Sequence, residues 1–550
     1  MSTPFEHSRV TGFLHADGTV MKNGNGEEVL LRGWGMGNWN NPEGFMLGGV
    51  SDFNIAPDGS IQHMGRLDRG RSMEQVVRET CGSAYAEEFW KKWHRAYLGE
   101  ADIRHLSELG YNSVRLPIRA CCFLREEPGI QFNEDSFSML EDVFSWCEQY
   151  RVYAILDLHA AVGGQSSLPC DDGIDNVPRL FLDEESRERT LILCEEFARR
   201  YHDRWILGAY NYINEPLSIP TWSYLDAKLR DFYLELVRRV RVLDKNHLFL
   251  LEGTHFSSRV SIFDCNFDPE CNNWGISIHC YGSRPEVPVF SLALKKREEL
   301  NIPLWMGETG GPDEWMASLY ELLLEYHIGF NIWCWKIAEG SDAAHAMSFA
   351  LPDEWQLIVD YAVHGGGKPS YEHAQKIWNQ YLENVRAEHC GQNPATHSHV
   401  LRHGRFSVPA VCYDALPGTH CGHTETGGVG KYRLADCMDI VFAPGYETKE
   451  TIFGAPRPDT DWQNMQLHLH EGDSAGYTVR DTTGGGQVVL HYHGAEQCRI
   501  QVRLGDAPAE EQALPPDGVL TLSGLPAAAE LRVQVTVLSG SVVLEKISFD

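Results

Sequence analysis

Two glutamates close apolar, strand-like runs: Glu215 in Asn214-Glu215-Pro216 and Glu308 in Gly307-Glu308-Thr309-Gly310. A carboxylate at the carboxyl end of a buried parallel strand points into the mouth of a barrel, where such folds keep their chemistry. Two carboxyls on facing strands are what a retaining glycosidase requires. One attacks the anomeric carbon, and the other, roughly 5–5.5 Å away, protonates the leaving oxygen. Glu215 is taken as the acid/base and Glu308 as the nucleophile, so their surroundings must push the two pKa values apart. Alone, Asn-Glu-Pro is equally a strand-end turn, because Asn and Pro punctuate turns.

The neighbours weigh that choice. Arg115, in Val114-Arg115-Leu116-Pro117, ends an apolar run and would hold Glu308 ionised; its plain alternative is a surface ion pair. The Asn214 amide suits the sugar hydroxyl beside the reacting carbon. His159, His279 and Tyr281 close two further runs. A histidine there serves a structural hydrogen bond as readily as chemistry, while Tyr281 would donate to the nucleophile. Trp333 and Trp335 flank Cys334, and Trp333 is taken as the indole beneath the sugar.

These residues need a scaffold of alternating strands and helices. Eight apolar runs qualify as strands: Val29–Gly33, Ser113–Pro117, Tyr153–His159, Gly208–Asn214, His247–Glu252, Gly275–Tyr281, Leu304–Glu308 and Phe330–Trp335. Between them Ala101–Leu109, Phe137–Gln149, Glu185–Tyr201, Leu225–Leu243 and Trp315–Tyr326 carry helical apolar spacing. The alternation predicts an α/β fold, a (β/α)8 TIM barrel over residues 1–390. A long insertion at about 43–97 is expected to shape the substrate pocket. After Gly365-Gly366-Gly367 a helix from about Tyr371 to Arg386 should close the barrel, and Ala387–Ser398 reads as a polar linker. From about residue 400 to 550 the pattern turns to period two with Gly, Asp and Thr turns, which predicts a C-terminal β-sandwich.

Composition narrows the partners. The 550 residues exceed one ordinary core. A formal charge of -30, from 77 acidic against 47 basic residues, would repel nucleic acid and anionic membranes but not a neutral sugar. The 15 cysteines are scattered, with an adjacent Cys121-Cys122 and no Cys-x-x-Cys pair, so reduced thiols and no metal are expected. The first residues lack the basic start and apolar core of a secretory signal. A cytoplasmic enzyme meeting a small glycoside or oligosaccharide is therefore expected, or a secreted one if a signal has been removed.

The order Arg115, His159, Asn214-Glu215, His279-x-Tyr281, Glu308, Trp333 resembles glycoside hydrolase family 5, the cellulase-like clan, over about residues 10–386. That resemblance implies catalytic glutamates at the ends of strands four and seven and a retaining double displacement without metal or organic cofactor. Gly33-Trp34-Gly35-Met36-Gly37-Asn38-Trp39 followed by Glu43, Asp157-Leu158-His159-Ala160-Ala161, Gly164-Gln165 and Asp172-Gly173-Ile174-Asp175-Asn176 are similar to the exo-1,3-β-glucanase branch. Carried over, Glu43 and Asn176 would bind hydroxyls of a terminal sugar and close a pocket.

The chain departs from that branch at Asn41-Pro42, at Val162 and in the long insertion, which leaves glucose, mannose or a furanose such as arabinose or galactofuranose open. In the sandwich, Gly427-Gly428-Val429-Gly430-Lys431-Tyr432-Arg433 and Trp462 resemble carbohydrate-binding modules of the family 6 and 35 type, which would make Tyr432 and Trp462 sugar contacts. The alternative is a sandwich that binds no sugar. For the whole chain, the readings to set against exo action are an endo-acting glucanase or mannanase, a glycolipid-cleaving enzyme, and a silent carbohydrate-binding protein.

Overall fold

The computed structural model describes residues 5–49, 65–341, 343–424, 432–446, 461–495 and 497–550. Eight parallel strands close into a barrel in chain order: β1 (Arg32–Gly35), β2 (Ser113–Arg119), β3 (Tyr153–Ala160), β4 (Leu207–Tyr212), β5 (Leu248–Glu252), β6 (Trp274–Tyr281), β7 (Leu304–Gly310) and β8 (Gly329–Ile332). Every residue of β2, β3, β4, β5 and β7 is buried. Parallel strands covered on both faces read as continuous apolar runs for this reason.

The expected TIM barrel is present, with two strands displaced. The first begins at Arg32 instead of Val29, because the Val29 amide donates to Met21 O, on the second strand of the amino-terminal hairpin His15–Asp17/Val20–Lys22. The eighth stops at Ile332, which places Trp333 and Trp335 beyond it.

The insertion is helical where it is described. Helices Gly70–Cys81 and Ser83–Tyr97 are amphipathic, and the second buries Phe89, Trp90 and Trp93. Phe89 meets Trp378 and Trp93 meets Tyr381 edge to face, at 5.3 and 5.2 Å, on the helix Tyr371–Asn384. Residues 50–64 of the insertion lie outside the described residues. The expected polar linker 387–398 is instead partly ordered: Asn393 caps a helix, Pro394–Leu401, with Pro in its first turn. Asn then Pro is an N-cap followed by a residue pre-set for helical φ, a start signal the polar composition concealed.

The chain divides into two compact units. One comprises residues 1–280, 290–309 and 328–392; the other comprises 281–289, 310–327 and 393–550. The helix Asp313–Glu325, which follows β7 in sequence, thus belongs with the second unit, where Arg480 donates to Glu321 and Arg402 Nε donates to Ala317 O at 2.9 Å. That unit is a sandwich of antiparallel sheets. Asp439–Phe442, Met465–His470, Ser541–Phe549, Gln487–His493 and Val519–Ser523 run in that order in one, with Phe406–Pro409 also on Ser541–Phe549. Ser474–Thr482, Ala528–Ser539, Arg499–Leu504 and Glu510–Ala513 form the other. All 15 cysteines are free thiols. Among the described residues no helix is long and apolar enough to cross a membrane.

Candidate active site

Charged residues buried at strand ends converge on the mouth of the barrel unit. Arg115 on β2 is fully buried and acts as the hub. Its Nη1 donates to Glu308 Oε1 at 2.6 Å, its Nη2 to Asn214 Oδ1 at 2.7 Å, and its Nε to Asn211 Oδ1 at 3.0 Å. The same Nη2 stands 3.1 Å from Asp157 and 3.4 Å from Glu252. A guanidinium with five donors in a fixed fork can serve this many acceptors, and a lysine cannot.

Glu215 follows β4 in a tight turn. Ile213, Glu215 and Leu217 take positive φ of 60°, 42° and 50°, a conformation costing about 1–3 kcal/mol per residue unless its surroundings over-determine it. The surroundings do so. The Glu215 amide donates to Glu252 Oε2 at 2.8 Å, the Leu217 amide to Gln165 at 2.9 Å, and Ser218 Oγ to Glu215 O at 2.7 Å. The Gln165 side-chain Nε2 donates to the carbonyls of His159 and Asn214 at 2.7 and 2.8 Å.

His279 on β6 joins the two glutamates. Its Nδ1 is 2.9 Å from Glu215 Oε1 and 3.6 Å from Glu308 Oε2, while Nε2 faces Glu252 Oε1 at 3.3 Å. One carboxylate oxygen of each glutamate and a His279 nitrogen lie within 4.8 Å of one another. Arg115 supplies the positive charge beside Glu308. Burial lowers the His279 imidazole, and the Glu252, Glu308 and Glu215 carboxylates more than reverse this, raising it to about 10.

The two glutamates separate electrostatically. Burial pushes Glu215 above the ordinary carboxylate range, the His279 hydrogen bond and charge opposing and Glu308 and Glu252 adding to the rise. Burial also pushes on Glu308, but the His279, Arg115 and His159 charges outweigh it and hold Glu308 below that range. Two carboxyls with pKa values moved apart are the division of labour between a proton donor and an anion.

Around this pair, His159 Nδ1 is 2.7 Å from Asp157 and its Nε2 is 3.3 Å from Asn214 Nδ2. The Trp333 indole stacks on His159, with centroids 5.1 Å apart and planes at 5°. Glu43 is buried and interacts with both glutamates. Burial first, then Glu308 and Glu215, raise it to about 8, against His159 and Arg115. Its Oε1 has no hydrogen-bond partner among the described residues. Asn176 is not brought to the glutamates by any hydrogen bond of its own. It accepts from Arg69 Nη2 at 2.7 Å, and the Arg69 backbone bridges to that of Glu43. Tyr281 ends β6 at 45% exposure.

Several members of the site escaped the sequence reading. Glu252, Asp157, Asn211, Gln165 and Arg69 were given no role there. Glu252 carried the same signal as Glu215 and Glu308, a carboxylate closing an apolar run. Arg69 carried none, since its place depends on the insertion folding back on Glu43. In the second unit Tyr432 and Trp462 are buried to 0% and 2% exposure, and the Tyr432 hydroxyl donates to Pro285 O at 3.1 Å. Neither ring offers a face to a sugar, because both are spent on packing. The glycine-rich run 427–431 before Tyr432 lies outside the described residues.

Residues 74–339 match the model of Cellulase (glycosyl hydrolase family 5). A β-xylosidase of Phanerodontia chrysosporium is 28% identical over 315 residues, 54% of this chain and 61% of the relative. A glucan 1,3-β-glucosidase of Candida oleophila is 27% identical over 218 residues, 38% of this chain and 47% of the relative. The chain thus spans less than two thirds of the length of these relatives, and endoglucanases stand among the others. Among solved structures, an endogalactoceramidase covers 97% of this chain and 99% of its own at 13% identity and a TM-score of 0.46. The family match falls on the barrel and takes in Glu215 and Glu308: residues 74–339 form a glycosyl hydrolase family 5 domain.

Proposed function

We propose that the protein is a retaining, exo-acting glycosidase that removes one terminal sugar from a small glycoside. The observation that carries this reading is the pair Glu215 and Glu308, whose oxygens lie within 4.8 Å and whose pKa values move in opposite directions. Inverting enzymes keep their carboxyls roughly 6.5–9.5 Å apart to admit a water between acid and base. In the proposed first step Glu308, ionised beside Arg115, attacks the anomeric carbon while Glu215 gives its proton to the leaving oxygen. In the second, Glu215 takes a proton from water, which displaces Glu308 from the sugar. Asn214, oriented by Arg115 and His159, would bind the neighbouring hydroxyl, and Trp333 would lie beneath the ring.

Exo action is supported by Glu43. A buried, largely protonated carboxyl with one oxygen free of any hydrogen bond among the described residues is poised to bind a hydroxyl, and Arg69, bridged to Glu43 through the backbone, holds Asn176. Apolar side chains exposed in the loops after the barrel strands favour an apolar leaving group, as in a glycolipid, over the next sugar of a polymer. These are Phe45 after β1, Ile174 and Leu182 after β3, Tyr224 after β4 and Phe256 after β5, exposed by 36–69%.

The test is a panel of nitrophenyl pyranosides and furanosides alongside alkyl glycosides, glycolipids and oligosaccharides. Monosaccharide release from one sugar series, with higher kcat/KM for long alkyl or lipid aglycones, is expected. A rapid fall in polymer viscosity without monosaccharide would refute exo action. Full activity of Glu308→Ala or Glu215→Gln would remove the catalytic assignment.

A further inference from the structure

The geometry points to a binding site for a zinc-type divalent cation in the C-terminal unit, formed by Asp439, His468 and His470 on the outer face of its larger sheet. On the strand Met465–His470, Leu467 and Leu469 are fully buried. The period of two therefore turns His468 and His470 outward together. Asp439, on the edge strand Asp439–Phe442, is the direct cross-strand partner of His468. His470 is then its diagonal neighbour, still within reach of a side chain.

The side chains meet at one point. Asp439 Oδ2 is 3.0 Å from His468 Nδ1 and 2.8 Å from His470 Nε2. The imidazole centroids are 4.1 Å apart, and one donor atom from each residue lies within 4.8 Å of the other two. Zinc binds imidazole nitrogen at roughly 2.0–2.1 Å and carboxylate oxygen at roughly 2.0–2.2 Å, which sets tetrahedral donors about 3.3 Å apart. Opening the two nitrogen-to-oxygen contacts by a few tenths of an ångström reaches that spacing.

The donor chemistry selects the ion. Two imidazoles and one carboxylate suit zinc and its borderline neighbours, whereas magnesium and calcium prefer all-oxygen sets. Three protein ligands leave a fourth position for water. The side chains are 27%, 26% and 48% exposed, so the cation enters directly from solvent. Bound there, it would clip the edge strand to its neighbour. His468-Leu469-His470 shows nothing of this in sequence, where no metal was expected, because its third ligand arrives only through strand register.

Calorimetric titration of the full chain with Zn²⁺, after chelator treatment and in the presence of a non-thiol reductant, tests the site. One ion per chain is expected, with affinity reduced about tenfold or more in each of Asp439→Asn, His468→Ala and His470→Ala. Glycosidase activity should be unchanged in all three. Because the chain also carries 15 thiols, Co²⁺ supplies a second readout: visible d–d bands without an intense thiolate band in the near ultraviolet. No binding, equal binding by wild type and His470→Ala, or a thiolate-dominated cobalt spectrum would overturn the proposal. Should His468→Ala fail to fold, the more exposed His470→Ala decides.

Discussion

The His279 Nδ1 atom lies 2.9 Å from Glu215 and 3.6 Å from Glu308, so a single imidazole touches both carboxyls on which the proposed reaction depends. Held protonated up to about pH 10, it is a cation that favours the ionised form of each. The active state needs Glu308 ionised and Glu215 protonated. Activity should therefore fall at low pH as Glu308 gains a proton and at high pH as Glu215 loses one, the two limbs belonging to the coupled pair. Replacing His279 by Asn removes the cation and raises both carboxyl pKa values. The whole kcat/KM bell of H279N should move to higher pH, with a loss of about 10²-fold at its maximum. A bell that stays in place, measured on an aryl glycoside, would sink this electrostatic account.

Glu252 supports that cation from behind. Burial raises its carboxyl, but His279, Arg115 and the Ser257 hydroxyl outweigh burial and hold it down to about 2. It also accepts the Glu215 amide and Asn211 Nδ2, at 2.8 and 2.9 Å. Glu252→Gln should lower His279 and leave Arg115 less neutralised. Removing one partner of a buried ion network costs about 3–5 kcal/mol, visible as a lowered midpoint in urea, together with a fall in kcat exceeding any change in KM. In the wild type, a depressed carboxylate stabilises the fold above its unfolded pKa. This contribution should drain away as pH falls from about 4.5 towards about 2. Equal acid sensitivity of E252Q and wild type would contradict the assignment.

The barrel was readable because its strands are buried on both faces and their apolar runs alternate with amphipathic helices. Glu215, Glu308 and Arg115 stood out as charges at the ends of such runs. Glu252 ends one too, but its role rests on the β4 turn beside it and on His279 across β6, relations set by barrel closure. The insertion was harder. Its second helix sets Phe89 and Trp93 against Trp378 and Tyr381 of the helix Tyr371–Asn384, about 290 residues later in the chain. Arg69 acquires its place beside Glu43 and Asn176 only through that folding. Tyr432 and Trp462 mislead for the opposite reason: aromatic residues that could hold a sugar are equally good core, and burial decides between the two.

Trp333 is fixed from two sides. His159 stacks on one face, and a Cβ on Gly35 would come within 2.6 Å of its Cε3. The approach to β1 is therefore possible only because Gly35 has no side chain. Gly35→Ala should force the indole off His159, at an overpacking cost of about 1–3 kcal/mol. If Trp333 carries the sugar, kcat/KM should drop about tenfold or more, through misplacement of the reacting carbon. An unchanged kcat/KM with a lowered melting temperature would confine Trp333 to a packing role.

Glu43 separates binding from chemistry. With a pKa near 8, it is neutral at pH 6, where its carboxyl is both donor and acceptor. An amide of the same shape also offers donor and acceptor, whereas alanine offers neither. At pH 6 Glu43→Gln should keep kcat/KM within about threefold of wild type, while Glu43→Ala should lose about 10–100-fold, or about 1.4–2.8 kcal/mol, for a lost contact to a hydroxyl. Above pH 8 the wild-type carboxyl ionises beside Glu308 and Glu215, adding a third negative charge that disfavours the anionic nucleophile. Glu43→Gln cannot ionise, so its basic limb should be shallower than that of the wild type. Glu43→Ala should lose activity on the terminal sugar without gaining any on the interior of a polymer. A glutamine variant as damaged as the alanine one at pH 6 would show that the native group works as an anion, and the protonated pocket would have to be given up.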